Sequence, residues 1–279
     1  MGKCLITKLQ GVVNNDNLLK IGECRVYNST SSSATDATFT ISSKEEMTIV
    51  GHGLTIEGGS SYVVTASGDT VLVLSNTNGY AEIPNKHNLL GLKIGKNSGT
   101  LKGSTYIDLS CLEYANNLKE LYISSDKEHH FGDIANLPAL ETLRSNETRW
   151  TDDIAGIGFL PSMKTLYLEN SDYIHGSIAS IVRSKFPKLE TLLLVNNIGI
   201  TGSISDLGSL TTLTTLSVAA LSAVIGDISD LASRMVANGR TSGTLSVTGT
   251  NSGVTHNGES FTKKTITFNS SVSNGYTIE

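Results

Sequence analysis

A six-residue pattern, L-x-x-L-x-L, recurs through the middle of this chain and constrains its fold more than any other feature. Five clear copies lie 22 to 26 residues apart, and their central leucines are Leu121, Leu143, Leu166, Leu192 and Leu216. The last two apolar positions of each copy point to the same side of a short strand, because side chains alternate along a strand. One such strand cannot bury its own leucines. The pattern therefore predicts stacked turns whose strands form a parallel sheet.

A second landmark stays in phase with the first over all five copies. It is a tripeptide that ends in isoleucine: Gly132-Asp-Ile134, Asp152-Asp-Ile154, Gly176-Ser-Ile178, Gly202-Ser-Ile204 and Gly226-Asp-Ile228. Glycine permits a tight bend, and we expect the isoleucine to enter the core. The apolar residues that follow, as in Ile228 and Leu231, predict a helical or 3₁₀ turn on the side opposite the strand.

The segment from Asn196 to Val218, NNIGITGSISDLGSLTTLTTLSV, carries both landmarks. It resembles the leucine-rich-repeat family, in the variant with a G-x-I element, and the resemblance covers residues 86–240. The implied fold is a β-rich α/β solenoid: a short leucine-rich-repeat array with an N-terminal β domain and a β C-terminal cap. The chain departs from the family at its asparagine position, where the five copies have Asp126, Thr148, Ser171, Asn197 and Leu221. Leucine cannot make the backbone hydrogen bonds of asparagine, so we expect an irregular array.

The repeats, the strand-like runs and the turn signals together predict four segments. Residues 1–35 are an N-terminal attachment arm and linker, 36–85 a small β domain or N-terminal cap, 86–240 the leucine-rich-repeat solenoid, and 241–279 the β C-terminal cap. The arm, residues 1–28, is too small to fold alone. Two interpretations of it stay open: a strand that docks on a partner, and a segment folded back on the chain's own β domain.

The first residues, from Lys3 to Glu23, resemble the start of uncharacterised proteins of gut Bacteroidales and their phages. The resemblance implies a bacteriophage virion protein with a shared docking arm and a variable exposed body. We therefore expect a non-enzymatic viral structural protein, either a head or tail fibre or a decoration protein, that forms homo-oligomers. It would contact other virion proteins through residues 1–28 and attach to a host surface glycan or protein through its repeats. The alternative is a bacterial cell-surface leucine-rich-repeat adhesion module.

Charge and hydropathy argue against several other kinds of partner. The net charge is −5 and no basic stripe is present, which argues against nucleic acid. No run of about 18 apolar residues occurs, so we expect no membrane insertion. The first apolar stretch, Leu5-Ile6, is too short for a signal peptide. We expect assembly in the host cytoplasm and release within a virion.

The three cysteines, Cys4, Cys24 and Cys111, are widely spaced. An odd count at such spacing is a poor disulfide framework, and no close pair suggests a zinc site. We predict free, partly buried thiols, with a Cys4–Cys24 bridge as the alternative.

No catalytic constellation is evident, and we expect neither an enzyme nor a cofactor. The densest group of histidine and acidic residues is His129-His130 with Asp126 and Glu128. Adjacent side chains on a strand point to opposite faces, so we favour a solvated loop over a metal site.

The outward positions of the predicted sheet are the candidate binding site. Tyr122, Arg144 and Tyr167 each follow a central leucine, and Trp150 lies near the edge. Tyrosine, tryptophan and arginine are favoured at interface hot spots. We therefore predict that these four residues bind a partner on the exposed sheet face. The alternative is a solvated face whose residues only reflect β propensity.

Overall fold

The computed structural model describes residues 23–30, 36–65, 68–76, 78–96, 103–171 and 173–279. The described residues form twenty-four β-strands, six short 3₁₀ helices and one α-helix. In chain order the strands are β1 (Cys24–Asn28), β2 (Ala37–Ser43), β3 (Met47–His52), β4 (Thr55–Ile56), β5 (Ser61–Val64), β6 (Thr70–Ser75), β7 (Tyr80–Ile83), β8 (Leu89–Gly95), β9 (Thr105–Ile107), β10 (Glu120–Ser124), β11 (Glu128–His129), β12 (Thr142–Asn146), β13 (Arg149–Trp150), β14 (Thr165–Glu169), β15 (His175–Ser177), β16 (Thr191–Val195), β17 (Gly199–Ser203), β18 (Thr215–Ser217), β19 (Val224–Asp227), β20 (Ser242–Thr248), β21 (Gly253–His256), β22 (Glu259–Ser260), β23 (Lys263–Asn269) and β24 (Tyr276–Ile278). The helices are η1 (Lys86–Asn88), η2 (Leu109–Leu112), η3 (Phe131–Ile134), η4 (Ile154–Gly156), η5 (Ile178–Ser180), η6 (Ile204–Ser209) and the α-helix α1 (Ile228–Ala237).

Twelve strands form one large sheet, in the order β24-β23-β20-β18-β16-β14-β12-β10-β8-β2-β6-β4. Its middle strands, from β8 to β20, are parallel, and their central apolar residues pair in register. The repeat spacing predicts this register for the five copies from Leu121 to Leu216. Along the sheet the paired central residues are Leu92, Leu121, Leu143, Leu166, Leu192, Leu216 and Val247. All seven are buried. Each strand therefore places its leucine against that of the next.

The isoleucine landmark begins a return segment on the other side of this core. The five isoleucines are buried: Ile134, Ile154, Ile178, Ile204 and Ile228. Gly202 and Gly226 have φ angles of 117° and 105°, a region that glycine adopts readily and other residues avoid. The side chains of Ser203 and Asp227 then cap η6 and α1 by accepting hydrogen bonds from backbone N–H groups. The predicted turn and core positions of this landmark are confirmed.

The predicted fold class, a β-rich α/β solenoid built as a short leucine-rich-repeat array, is wrong. The described residues are nearly all in β-sheets: the large sheet, two five-stranded sheets (β5-β3-β7-β1-β9 and β15-β17-β19-β21-β22) and the two-stranded sheet β11-β13. The physical reason is the length of each turn. Most return segments hold a second short strand and a 3₁₀ helix of three to six residues, which leaves little room for an α-helix of the usual 11–12 residues.

The ends of the large sheet are antiparallel. β2 pairs with β8 at one end, and β20 pairs with β23 at the other. Within residues 36–85, β2, β4 and β6 share the large sheet with the parallel strands, whereas β3, β5 and β7 belong to a five-stranded sheet. β20 and β23 lie within residues 241–279, the segment predicted as a β C-terminal cap. Buried apolar side chains from Cys24 to Phe268 belong to one cluster. The four predicted segment boundaries stay predictions.

Part of the predicted N-terminal arm is folded back on the chain itself. β1 lies between β7 and β9 and pairs antiparallel with both. Of the two interpretations of the arm, the structure therefore places Cys24–Asn28 within the chain's own sheet. Residues 1–22 and 31–35 lie outside the described residues.

The irregular asparagine position is visible in the loops after the parallel strands. The Asn197 side chain donates to the Leu168 carbonyl oxygen at 2.9 Å and accepts from the Ser171 backbone N–H at 2.9 Å. Thr148 replaces part of this bonding, because its hydroxyl donates to the Ile123 carbonyl oxygen at 3.0 Å. Leu221 is buried in the core. The copies therefore differ in how they tie one turn to the previous one.

Cys24 and Cys111 form a disulfide with a Cα–Cα distance of 5.4 Å, within the ordinary range. The prediction of free thiols is wrong for these two cysteines, and Cys24 is not bonded to Cys4. The cause is tertiary: β1 pairs with β9, and η2 follows β9 closely enough to bring Cys111 beside Cys24. Cys4 lies outside the described residues.

We expect loss of this bridge to destabilise the fold strongly. The disulfide closes a loop with a sequence separation of 87 residues, for which chain-entropy arguments predict about 4.6 kcal/mol of stabilisation. Urea unfolding should therefore give a free energy of unfolding lower by about 4.6 kcal/mol for the double variant Cys24→Ala, Cys111→Ala. Cys4→Ser, which retains the bridge, is the matched control. Equal unfolding curves for the double variant and the control would contradict the stabilisation expected from the Cys24–Cys111 disulfide.

Candidate binding face and cleft

Three of the four predicted site residues lie side by side on the outward face of the large sheet. Arg144 on β12 pairs in register with Tyr122 on β10 and with Tyr167 on β14. Neighbouring strands are about 4.8 Å apart, so side chains at paired positions are in contact range. We call these three residues the Tyr–Arg–Tyr row. The two tyrosines are half-buried and the arginine is exposed.

The electrostatics of the row distinguish its members. The Tyr167 hydroxyl donates to the Glu169 carboxylate, and burial together with this hydrogen bond raises the pKa of Tyr167 to about 12. The phenol therefore stays protonated at neutral pH. The Arg144 guanidinium makes no hydrogen bond or ion pair with any other described residue. The row thus places an arginine that makes no hydrogen bond or ion pair with the described residues between two tyrosine rings.

Trp150 does not belong to this face, and its prediction as an exposed binding residue is wrong. It is fully buried (0% exposed), stacks on Phe131 with ring centroids 4.5 Å apart, and donates from Nε1 to Ser145 Oγ at 2.7 Å. Trp150 lies on β13, which pairs with β11 in the return segments and not with the large sheet. Successive side chains on a strand alternate, so Arg149 is exposed while Trp150 enters the core.

A cleft of about 370 Å³ lies where β8, β10, β12 and β14 end, next to the outward face. It is lined by Lys96, Asp126, Glu147, Thr148, Arg149, Asn170 and Tyr173. We call this set the strand-end cleft. Sequence reasoning missed it. A usable signal was present, because Glu147, Asn170 and Asn196 all stand four residues after a central leucine. There they adopt left-handed φ angles of 50°, 54° and 52°, a conformation in which asparagine is enriched.

Charges of both signs meet inside the strand-end cleft. Lys96 forms an ion pair with Asp126 and lies 4.0 Å from the Glu147 carboxylate. On the other side, the Arg149 guanidinium lies 4.9 Å from the ring centroid of Tyr173. The two cations and two carboxylates leave the lining without net charge.

The side-chain amides of three asparagines form a hydrogen-bonded ladder beside the cleft. Asn170 donates to Asn146 Oδ1 at 3.1 Å, and Asn196 donates to Asn170 Oδ1 at 2.8 Å. The Asn170 amide is therefore held in one orientation by its neighbours on both sides.

The predicted solvated loop is wrong for His129, which lies on the short strand β11 and is buried, whereas the next residue, His130, is exposed. His130 is exposed and lies 2.9 Å from Asp152 Oδ1, a contact that raises its pKa. His129 is 2% exposed, and its Nε2 has no hydrogen-bond partner. Burial lowers its pKa to about 4, against a smaller opposing effect of the Asp108 charge. In the described part of the chain, no group of three or more His, Cys, Asp or Glu side chains is placed to hold a metal ion.

Comparisons with known proteins assign no family to this chain. No protein-family model matches it, and a search of the curated proteins finds no significant match. Among the described helices, none has the length and apolar character needed to cross a membrane.

The burial of Trp150 is directly testable, because it is the only tryptophan of the chain. A buried indole emits at short wavelength and is poorly reached by quenchers. We expect blue-shifted fluorescence and weak acrylamide quenching in the native protein, with a red shift and strong quenching in urea. Strong quenching of the native protein would instead place Trp150 on the surface.

We also expect a stability loss in mild acid that depends on His129. Its folded-state pKa of about 4 lies below the ordinary histidine pKa of 6.5, so the unfolded state takes up the proton first. The contribution of neutral His129 is complete above pH 6.5 and is lost as the pH falls towards 4. The expected loss is about 3 kcal/mol.

Urea unfolding between pH 7 and pH 4 measures this effect. His129→Leu should flatten the pH dependence relative to the wild type, whereas the control His130→Gln, at an exposed site, should leave the contribution of His129 in place. Parallel pH profiles for the wild type and His129→Leu would be the contrary result.

Proposed function

We propose that this protein is a non-enzymatic structural protein of a virion, a head or tail fibre or a decoration protein, that attaches to a host surface through the outward face of its large sheet. The observation that carries the binding part of the proposal is the Tyr–Arg–Tyr row. Tyrosine and arginine dominate interface hot spots. Here the three side chains stand on adjacent, hydrogen-bonded strands.

The geometry of the row favours binding in two ways. The sheet holds the backbone of all three residues, so little conformational entropy is lost on association. Arg144 has no internal partner among the described residues, and a ligand group that accepts hydrogen bonds would not need to displace one. A host surface glycan or protein could supply such a group.

Two features support a role in a virion. The segment from Lys3 to Glu23 resembles the start of proteins of gut Bacteroidales and their phages. The Cys24–Cys111 disulfide is typical of proteins that work in oxidising surroundings, including virion and cell surfaces.

Attachment to other virion proteins through the N-terminal segment, and assembly as a homo-oligomer, are parts of the same proposal. Cys24–Asn28 is paired on both sides by β7 and β9 and offers no free strand edge. Within residues 1–28, a docking contact of the backbone would therefore have to involve residues that precede Cys24.

A bacterial cell-surface adhesion module is the second candidate, because the same disulfide suits a cell surface equally well. The location of the protein, in phage particles or on the bacterial cell surface, distinguishes the two candidate functions. Quantitative mass spectrometry should find this chain in gradient-purified phage particles, in proportion to known capsid proteins. Its absence from particles, together with its presence on intact uninfected cells, would replace the virion proposal with the adhesion module.

The attachment face can be tested with the purified, labelled full-length protein and intact cells of gut Bacteroidales. A central hot-spot arginine contributes about 2 kcal/mol or more, so Arg144→Gln should weaken adsorption about 30-fold. Arg183→Gln changes another exposed arginine, which lies off the row, and should leave adsorption unchanged. Equal adsorption of wild type and Arg144→Gln would remove the row from the proposed function.

A further inference from the structure

We propose that the strand-end cleft is a separate binding site for a neutral saccharide. The site lies beyond the Tyr–Arg–Tyr row and does not rest on the function proposed above. Its volume of about 370 Å³ falls within the range of small-molecule sites. It is formed by the residues that follow four consecutive parallel strands.

The lining chemistry restricts the class of ligand. Apart from the Tyr173 ring, every lining residue carries a charged or polar side chain. A lipid chain or an apolar peptide would desolvate these groups without replacing their hydrogen bonds, which is costly. The cleft therefore suits a ligand that brings its own donors and acceptors.

The balance of charge in the lining restricts the class of ligand further. Lys96 already pairs with Asp126 and lies 4.0 Å from Glu147. The second cation, Arg149, lies over the Tyr173 ring, and the two carboxylates balance the two cations, so the lining has no net positive charge to attract a phosphate or a nucleic acid. Carboxylates accept hydrogen bonds, and ammonium and guanidinium groups donate them. A hydroxyl group can do both. A ligand with many hydroxyls and no net charge matches this alternation best.

Two groups are oriented to receive a sugar ring. Tyr173 remains 55% exposed although Arg149 lies over its ring, so it offers an aromatic surface on which the C–H groups of a pyranose can pack. Asn170 is held by Asn146 and Asn196. Its amide carries two N–H groups, and it makes one donated hydrogen bond to the described residues. Aromatic packing beside a fixed amide is a chemistry that recognises saccharides.

The test uses the full chain and an array of neutral oligosaccharides, such as glucans, mannans, galactans and xylans. Sialylated and uronic-acid glycans and inorganic phosphate serve as charged comparisons. Isothermal titration then measures affinity for the neutral glycan that binds best. Tyr173→Ala should weaken binding at least about tenfold, since one aromatic anchor is lost. Tyr114→Ala is the matched control, because Tyr114 is 56% exposed and lies outside the cleft.

A second variant tests the cleft independently, in case Tyr173→Ala loses binding because it misfolds. The side chain of Asp126 is 79% exposed, so Asp126→Asn should leave the unfolding curve unchanged. It should still lower the affinity for the same glycan. Arg144→Gln, in the row, should have no effect on it. Absence of binding to any neutral glycan would overturn the proposal. So would binding that is lost in Arg144→Gln and retained in both Tyr173→Ala and Asp126→Asn.

Discussion

In-register parallel pairing of the strands from β8 to β20 is the constraint on which the rest of the molecule depends. Each of these strands buries one central apolar residue against the same residue of its neighbours, from Leu92 to Val247. Side chains alternate along a strand, so burial of this position fixes which residues face outward. Arg144 meets Tyr122 and Tyr167 for that reason alone. A slip of one residue would bury Arg144 and expose a leucine.

The same pairing leaves two open ends, and antiparallel strands close them. β2, β6 and β4 extend the sheet at one end, and β23 and β24 extend it at the other. Strand edges are prone to pair with other chains, so moving the edges to short strands protects the parallel core. The Cys24–Cys111 bridge ties β1 to η2 and thereby links the first described strand to the start of the parallel array. The N-terminal part of the fold is therefore held covalently as well as by packing.

Both candidate surfaces arise from the same few strands but differ in chemistry. The Tyr–Arg–Tyr row lies in the middle of β10, β12 and β14, and its arginine makes no hydrogen bond or ion pair with the described residues. The strand-end cleft lies just beyond the ends of these strands and has paired charges, an oriented amide and one exposed ring. An anionic or hydrogen-bond-accepting group suits the first surface, and a neutral, hydroxyl-rich ligand suits the second.

The sequence by itself determined the features that repeat within one turn. The central leucines predicted the strand register, the landmark isoleucines predicted the second buried row, and the positions after Leu121, Leu143 and Leu166 predicted the outward neighbours. The repeat spacing indicates which side chains lie on the same face of a turn, and this relation does not depend on where the turn lies in the fold. Only the tertiary structure decided the rest. The class is nearly all β and not α/β, Trp150 fills the core, Cys24 reaches Cys111, and seven residues from four loops form a cleft. Each of these depends on contacts between residues far apart in the chain, which local spacing does not encode.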